Sequence, residues 1–284
     1  MNMQELGISL LDIKRIIETG LSEDLGAGDI TTERLIPADQ LSRAIFLAKA
    51  EGVLAGISIS TEVFRYLSPS ITMTAHFQDG ENITAGAVLA TITGPTRALL
   101  SGERLALNLL QRMCGIATQA RRLSAMISDQ PAVLVDTRKT TPGLRCLEKY
   151  AVRVGGAANH RFALYDGVMI KDNHIQAAGG IAAAVTRLRA SIPHTMRIEV
   201  EAENLSQVAE ALQAGADIIM LDNMELAVMR EAVRLVQGRA LLEASGGINA
   251  AALLAVAATG VDYISMGALT HSVPNFDISF KFVD

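Results

Sequence analysis

The chain has 284 residues, of which half are hydrophobic, only 4% aromatic and none tryptophan. That length holds at most about two domains, and an aliphatic interior suits packed α/β layers rather than a disordered or fibrous chain. The formal net charge of −5 gives no global reason to expect nucleic acid or an anionic membrane as partner.

The first hundred residues read as an α+β unit. Leu10, Leu11, Ile13, Ile16, Ile17 and Leu21 recur at helical spacing, after an amphipathic start with Glu5 and Asp12 that shows no signal peptide. A turn-rich stretch follows at 23–31, then alternating runs at 43–49 and 88–92 that read as strands. Residues 99–126 are apolar at helical spacing, with Gly115 near the middle, and predict one or two helices linking two domains. Cys114 and Cys146 are too few for a disulfide framework and lack metal-ligand spacing, so they read as buried thiols in a reducing cytoplasm.

From about residue 131 a rhythm sets in: a short apolar run, a polar residue at its end, then a helix. The runs are 132–135, 167–170, 196–201, 217–222, 240–244 and 261–266, closed by residues such as Asp136, Lys171, Glu201 and Asp222. Such βα units imply a parallel sheet. Strand alternation puts Glu199 and Glu201 on one face, as it does Met220 with Asp222, and Leu241 with Glu243 and Ser245. Acids from three successive strands would then converge in a barrel mouth, which favours a barrel over a doubly wound sheet. The uncharged stretch 244–261 carries Gly246, Gly247, Asn249, Thr259 and Gly260, and reads as a turn and buried helix rather than a membrane span.

Charge is unevenly spread. Residues 136–174 carry seven Lys/Arg (Arg138, Lys139, Arg145, Lys149, Arg153, Arg161, Lys171) against four acids, a net +3 that leaves −8 elsewhere. This reversal suggests an anionic ligand in a cleft. Glu148 and Lys149, following the Pro142-Gly143 turn, are expected as helix-surface charges. Arg161 can fork onto a carboxylate and His160 can add a donor. Lys171 is either a Schiff-base lysine or a point charge for a phosphate, and the neighbouring cations favour the second. Glu201 and Asp222 can grip a diol, coordinate Mg²⁺ or stabilise developing positive charge. Ser245-Gly246-Gly247 and Ser265-Met266-Gly267 follow the last two strands, where barrels often hold phosphate. A phosphorylated sugar with an anionic leaving group meets this description.

These residues sit in a recognisable order: Asp136-Thr-Arg-Lys-Thr-Thr-Pro-Gly-Leu-Arg145, Glu148-Lys-Tyr-Ala-Val152, Asn159-His-Arg161, Ile170-Lys-Asp-Asn-His-Ile175, Glu199-Val-Glu201, Ile219-Met-Leu-Asp-Asn223 and Gly267-Ala-Leu-Thr-His-Ser272. With Glu23-Asp-Leu-Gly26, Gly28-Asp-Ile-Thr31, Gly102-Glu-Arg104 and Gly115-Ile-Ala-Thr118, the chain closely resembles the quinolinate phosphoribosyltransferase family over essentially its whole length. Two positions depart from the expected family pattern: Cys114 stands where serine is usual, and Ala157 where a third glycine usually precedes Asn-His-Arg. If that position needs a positive φ, Ala157 would alter the loop.

The resemblance implies a type II phosphoribosyltransferase that joins quinolinate to phosphoribosyl pyrophosphate, releasing pyrophosphate and CO₂, with Mg²⁺ and no organic cofactor. It implies an incomplete, seven-stranded α/β barrel at 116–272 and an N-terminal α+β domain at 1–115, to which the tail 273–284 returns. It further implies a cytoplasmic homodimer, or a hexamer of dimers, with shared active sites. By motif, Arg138, His160 and Arg161 hold the quinolinate carboxylates, with Arg104 contributed by a second copy. Lys139 and Lys171 meet carboxylate, phosphate and pyrophosphate groups, and Glu201 and Asp222 meet ribose and metal. Ser245, Gly247 and Gly267 cradle the 5′-phosphate. Three alternatives remain: a molybdate-transport-associated pyrophosphorylase-like protein of the same fold, a non-catalytic nucleotide-binding protein, and a Schiff-base aldolase using Lys171. The intact Asn-His-Arg and Ile-Lys-Asp-Asn-His stretches favour the quinolinate enzyme.

Overall fold

The computed structural model describes residues 7–283, so Glu5 and the outermost ends of the expected domains lie outside the described residues. The chain divides into two compact units. One comprises the residues up to Arg121, Thr140–Gly156 and the residues from Thr270; the other comprises Arg122–Lys139 and Ala157–Leu269.

The first unit opens with α1 (Leu10–Leu25), which buries Ile13, Ile16, Ile17 and Leu21, the stripe expected from spacing. The turn-rich stretch leads into α2 (Ile30–Leu35), whose N-cap Asp29 accepts the Thr32 N–H at 2.9 Å. Then come β1 (Leu41–Ala48), β2 (Gly52–Val53), α3 (Ile57–Leu67), β3 (Thr72–Ala75), β4 (Asn82–Ile83) and β5 (Val88–Pro95). The long apolar segment is one helix, α4 (Thr96–Met126). Gly115 does not interrupt it. That glycine lies against the returning backbone at Pro274, whose carbonyl oxygen leaves no room for a Cβ.

The last strand, β12 (Ile278–Val283), pairs antiparallel with β1 in a sheet ordered β12-β1-β5-β3. Phe46 of β1, Phe64 of α3 and Phe280 of β12 meet with ring centroids 5.0–6.1 Å apart, fastening α3 across that sheet. The Cys114 thiol is buried in this core, accepts the Ala55 N–H at 3.3 Å and is pushed up to about 12 by burial.

The helix α5 (Arg145–Val154) also belongs to this unit and corrects one expectation. Glu148 and Lys149 are not surface charges; they are 0% and 2% exposed. Glu148 accepts from Arg112 Nε at 3.0 Å, from the Thr141 N–H at 3.1 Å and from the Thr141 hydroxyl at 2.7 Å. Arg145 Nε reaches Thr140 Oγ1 at 2.9 Å. The Thr-Thr-Pro-Gly segment is thus stapled to α5 by its own motif residues.

The second unit is a βα alternation. Its strands are β6 (Val133–Val135), β7 (Val168–Ile170), β8 (Ile198–Ala202), β9 (Ile218–Asp222), β10 (Leu241–Ser245) and β11 (Tyr263–Ser265). The helices α6 (Asp172–Ala178), α7 (Ile181–Ser191), α8 (Leu205–Ala214), α9 (Leu226–Val236) and α10 (Ala250–Ala257) follow β7 to β10, and the short α11 (Ala268–His271) follows β11. The sheet is parallel and ordered β6-β11-β10-β9-β8-β7, so the strands wind in one direction and do not reverse from a centre. It has six strands where seven were expected. Between β6 and β7 in the chain, Ala158 makes a single parallel bridge to Val135, too short a contact to count as a strand.

Alternation along these strands decides what each face does. Ile198, Val200, Ala202, Ile219, Leu221, Leu242, Ala244 and Ile264 are buried on one parity, alongside helix residues such as Val208, Ala211, Met229, Ala232 and Leu253. The opposite parity carries Glu199, Glu201, Met220, Asp222, Glu243 and Ser245. Among the described residues, no helix is long and apolar enough to cross a membrane.

Candidate active site

Register sets the levels of the polar face. Glu199 lies opposite Met169 and Ile218, Glu243 opposite Met220, and Asp222 opposite Ser245. Glu201 is opposite Met220 on β9, one pleat below Asp222. Carboxylates from three neighbouring strands therefore share one face on three levels: Glu199, then Glu201 with Met220 and Glu243, then Asp222 with Ser245. Glu199 and Glu243 are buried, each 4% exposed, whereas Glu201, Asp222 and Ser245 are only partly covered.

The Asn159-His160-Arg161 segment is held to this face by residues from three strands. Asp136, fully buried just after β6, accepts the Asn159 amide at 2.6 Å and the His160 N–H at 2.9 Å. His160 Nε2 lies 3.3 Å from Glu199 Oε2 and 3.5 Å from Glu243 Oε2. The Arg161 N–H donates to His160 Nδ1 at 2.7 Å. That bond assigns the tautomer: the imidazole proton is on Nε2 and faces the two acids. The remaining oxygens, Glu199 Oε1 and Glu243 Oε1, and the Ser265 hydroxyl are buried without a hydrogen-bond partner. Burial first, and then the Glu199 charge, push the Glu243 carboxyl up to about 7, against the pull of His160, Ser265 and Lys171.

One nitrogen and two oxygens of His160, Glu199 and Glu243 lie within 4.8 Å of one another, a donor set that can suit a divalent metal. The hydrogen bonding argues against it, because a metal at Nε2 would have to displace the only proton of the ring.

Arg161 donates from Nη1 to the Gly167 carbonyl at 2.9 Å, and its Nη2 lies 3.7 Å from Met169 Sδ. Burial, followed by the charge of Arg138, pulls its guanidinium below the usual arginine range, with Glu199 and Asp166 opposing. Two arginines near enough to oppose each other's charge form a site for an anion with more than one negative group. Arg138 and Lys139 are exposed directly after β6, and the Lys139 N–H is held by Thr137 Oγ1 at 3.1 Å.

Lys171 closes β7 and forms an ion pair through Nζ with Glu201 Oε2. Its own N–H donates to His174 Nδ1 at 3.0 Å, which explains the Lys-Asp-Asn-His spacing: the histidine pins the lysine backbone at the start of α6. Asp222 accepts the Asn223 amide at 2.8 Å, and the Asn223 N–H donates to the Ser245 carbonyl at 2.9 Å. Gly246 (φ 93°) and Gly247 (φ 61°) are both left-handed. A Cβ on Gly246 would run into the Asn223 side chain, whereas one on Gly247 would meet nothing nearer than 3.9 Å. Gly247 is therefore a glycine for its backbone conformation, which a turn offering successive N–H groups requires. Gly267 sits half-buried between β11 and α11.

The structure thus brings Arg138 near Arg161, Lys171 onto Glu201, and Asp222 beside Ser245. Arg104 belongs to the first unit, where it lines a cavity of about 380 Å³ with Arg15, Glu23, Asp24 and Asn108. Ala157 has no positive φ; among the described non-glycine residues only Asn223 and Gln237 do. Its replacement of glycine leaves the loop unstrained. The acid pair Glu199 and Glu243, and the anchor Asp136, were not singled out from sequence, although strand parity already placed both glutamates on the polar face.

Comparison with known proteins identifies the family. Residues 29–114 match the family model described as quinolinate phosphoribosyl transferase, N-terminal domain, and residues 116–281 match its C-terminal domain. A probable nicotinate-nucleotide pyrophosphorylase [carboxylating] of Bacillus subtilis (strain 168) is 47% identical over 95% of this chain and 93% of its own length. Quinolinate phosphoribosyltransferase [decarboxylating] 1b of Nicotiana tabacum is 40% identical over 95% of this chain and 82% of its own. The nicotinate-nucleotide pyrophosphorylase structure from Francisella tularensis superposes with a TM-score of 0.93 at 38% identity, covering 97% of this chain and 98% of that one. The chain belongs to the quinolinate phosphoribosyl transferase family.

Proposed function

We propose that this chain transfers the phosphoribosyl group of phosphoribosyl pyrophosphate to quinolinate with loss of CO₂, forming nicotinate mononucleotide for NAD synthesis. The observation that carries this reading is the clustering of both signs of charge at the strand ends of one sheet: Arg161 against β7 under the influence of Arg138, the Lys171–Glu201 ion pair, and Asp222 opposite Ser245. A dicarboxylate meets the arginines, and a phosphorylated sugar meets the acids and the glycine turn.

In this reaction the pyridine nitrogen attacks the ribose carbon, and the bond to the pyrophosphate oxygen breaks. Positive charge grows on the sugar and negative charge on the leaving group. Glu201 and Asp222 stabilise the first, and Lys139 and Lys171 the second. The ring becomes a pyridinium. The carbon–carboxylate bond beside the nitrogen then breaks, CO₂ leaves, the ring retains the electron pair, and a proton replaces the carboxylate. Arg138 and Arg161, with Arg104 from a second copy, orient the dianion for attack. His160, expected from its motif to meet a carboxylate, instead has both ring nitrogens facing Glu199, Glu243 and the Arg161 N–H, and supports that arginine. Ser245, Gly247 and Gly267 hold the 5′-phosphate through backbone and hydroxyl donors.

Mg²⁺ fits the Glu201–Asp222 edge: both are oxygen donors, both are only partly buried, and Glu201 already holds a cation. When bound it would neutralise pyrophosphate charge. No organic cofactor is required. We assign residues 1–115, with the tail 273–284, to an N-terminal domain and 116–272 to an incomplete barrel whose seventh strand is reduced to the Ala158 bridge, with residues 140–156 of that span packing in the first compact unit. Cytoplasmic homodimers, alone or as hexamers, would share their sites through Arg104. The test is incubation with quinolinate labelled in the carboxylate next to nitrogen, phosphoribosyl pyrophosphate and Mg²⁺. Labelled CO₂ and nicotinate mononucleotide are expected in equal amounts; turnover of another base alone would overturn the reading.

A further inference from the structure

His160 has an acid on each side of one ring edge and a backbone amide on the other. The two acids come from β8 and β10, strands separated in the sheet by β9. Asp136 already holds the His160 N–H and the Asn159 amide. The freedom left to this segment is rotation of the imidazole, and with it the placement of the Arg161 amide bound to Nδ1. Glu199 Oε1 and Glu243 Oε1 have no well-formed hydrogen bond of their own, although the Ser265 hydroxyl is near enough to pull on Glu243, and both glutamates are 4% exposed. Burying two carboxylates with so few donors is costly, and a site keeps such an arrangement only where the group they face has to be held.

We propose that Glu199 and Glu243 are positioning residues that clamp the Nε2 edge of His160 and, through Nδ1, fix the main chain of Arg161, whose guanidinium is held at its far end by the Gly167 carbonyl. The proposal rests on the quinolinate reading above, in which that guanidinium meets a carboxylate. Glu199 and Glu243 touch no substrate. They act two steps away, on the residue that orients the arginine, so their loss moves the dicarboxylate and leaves the sugar phosphate in place.

The experiment compares Glu243→Ala, Glu243→Gln and His160→Asn with the double variant, reading kcat and both KM values. Binding of phthalate, a dicarboxylate that cannot react, is measured in parallel by calorimetry. Glu243→Ala is expected to raise the quinolinate KM and weaken phthalate at least about tenfold, with the phosphoribosyl pyrophosphate KM changed less than about twofold. Glu243→Gln keeps an acceptor for Nε2–H and is expected to restore most of the loss. In a His160→Asn background, Glu243→Ala should add less than about twofold, because the clamp has nothing left to hold. Equal effects on both substrates, or full additivity in the double variant, would overturn the proposal. If Glu243→Ala fails to fold, Glu199→Ala and its cycle with His160→Asn decide the matter: coupling supports the clamp and additivity refutes it. Wild-type protein that fails to release CO₂ from quinolinate would overturn the underlying reading; active wild type with an unaltered Glu243→Ala would overturn only the clamp.

Discussion

Replacing Gly115 by alanine sets two effects of known sign against each other. The residue lies inside α4, away from either end, where alanine is better than glycine by about 1 kcal/mol on helix propensity alone. A Cβ there would fall inside the 3.0 Å limit to the Pro274 carbonyl oxygen and 3.4 Å from the Phe276 nitrogen, and both obstacles are backbone. The segment around 274–276 would have to retreat. That movement strains the bond from the Phe276 N–H to the Gln111 carbonyl, now 2.9 Å, a contribution of about 1 kcal/mol. It also loosens Phe276, which is 7% exposed, and overpacking of this kind costs about 1–3 kcal/mol. The steric side wins by about 2 kcal/mol, and the expected fall in Tm is about 4–8 °C for a chain of this length. Calorimetry gives the Tm, and limited proteolysis of the residues after Pro274 reports whether the tail has loosened. Gly20→Ala is the control: its Cβ meets only the movable tip of Leu105, at 2.5 Å, so its melting temperature should fall less. A Gly115→Ala protein that melts at or above wild type, with its tail equally protected, would show that propensity governs this position and that the close approach is yielding.

Arg138→Ala and Arg161→Ala should each lower kcat/KM for quinolinate by at least about thirtyfold, the value of a truncated charge-assisted contact, and change the phosphoribosyl pyrophosphate KM little; parallel loss for both substrates would contradict the dicarboxylate role. Arg104→Ala and Lys171→Ala proteins, each inactive alone, should regain activity when their subunits are exchanged, and failure despite exchange shown by mass spectrometry would count against shared sites. The Glu243 carboxyl holds its proton up to about pH 7 in the folded chain, against the ordinary value of 4.5, so the native state binds more protons than the unfolded chain between these values. This share of stability is fully present below pH 4.5 and is lost as the pH rises through 7. Urea titrations across that window should show a shallower decline for Glu243→Gln than for wild type, and identical slopes would contradict the assignment.

Local periodicity was enough to find all six strands of the second unit, because a polar residue closing an apolar run survives without knowledge of the partners; the seventh was implied by the family resemblance alone. Its alternation also placed Glu199, Glu201 and Glu243 on one face correctly. What it could not convey was depth. Glu201 meets Lys171 and is only partly buried, while Glu199 and Glu243 are buried against His160. Register puts Glu201 and Glu243 level with the same Met220, so the difference arises from the loop that returns to the sheet between β6 and β7. Glu148 failed for the same reason. Its partner Arg112 is 36 residues away, so nothing within the helix signals that the carboxylate is enclosed. Gly115 could be read as a possible break because its true neighbour, Pro274, is even more remote in the chain. The one strand that did not form follows a different logic. Ala158 still pairs with β6, giving its N–H to the Leu134 carbonyl and accepting the Asp136 N–H, but the next groups turn to the Asp136 side chain, which accepts the Asn159 side-chain amide and the His160 N–H. Sheet pairing stops where the candidate site takes the backbone amide, and only the Val135–Ala158 bridge remains.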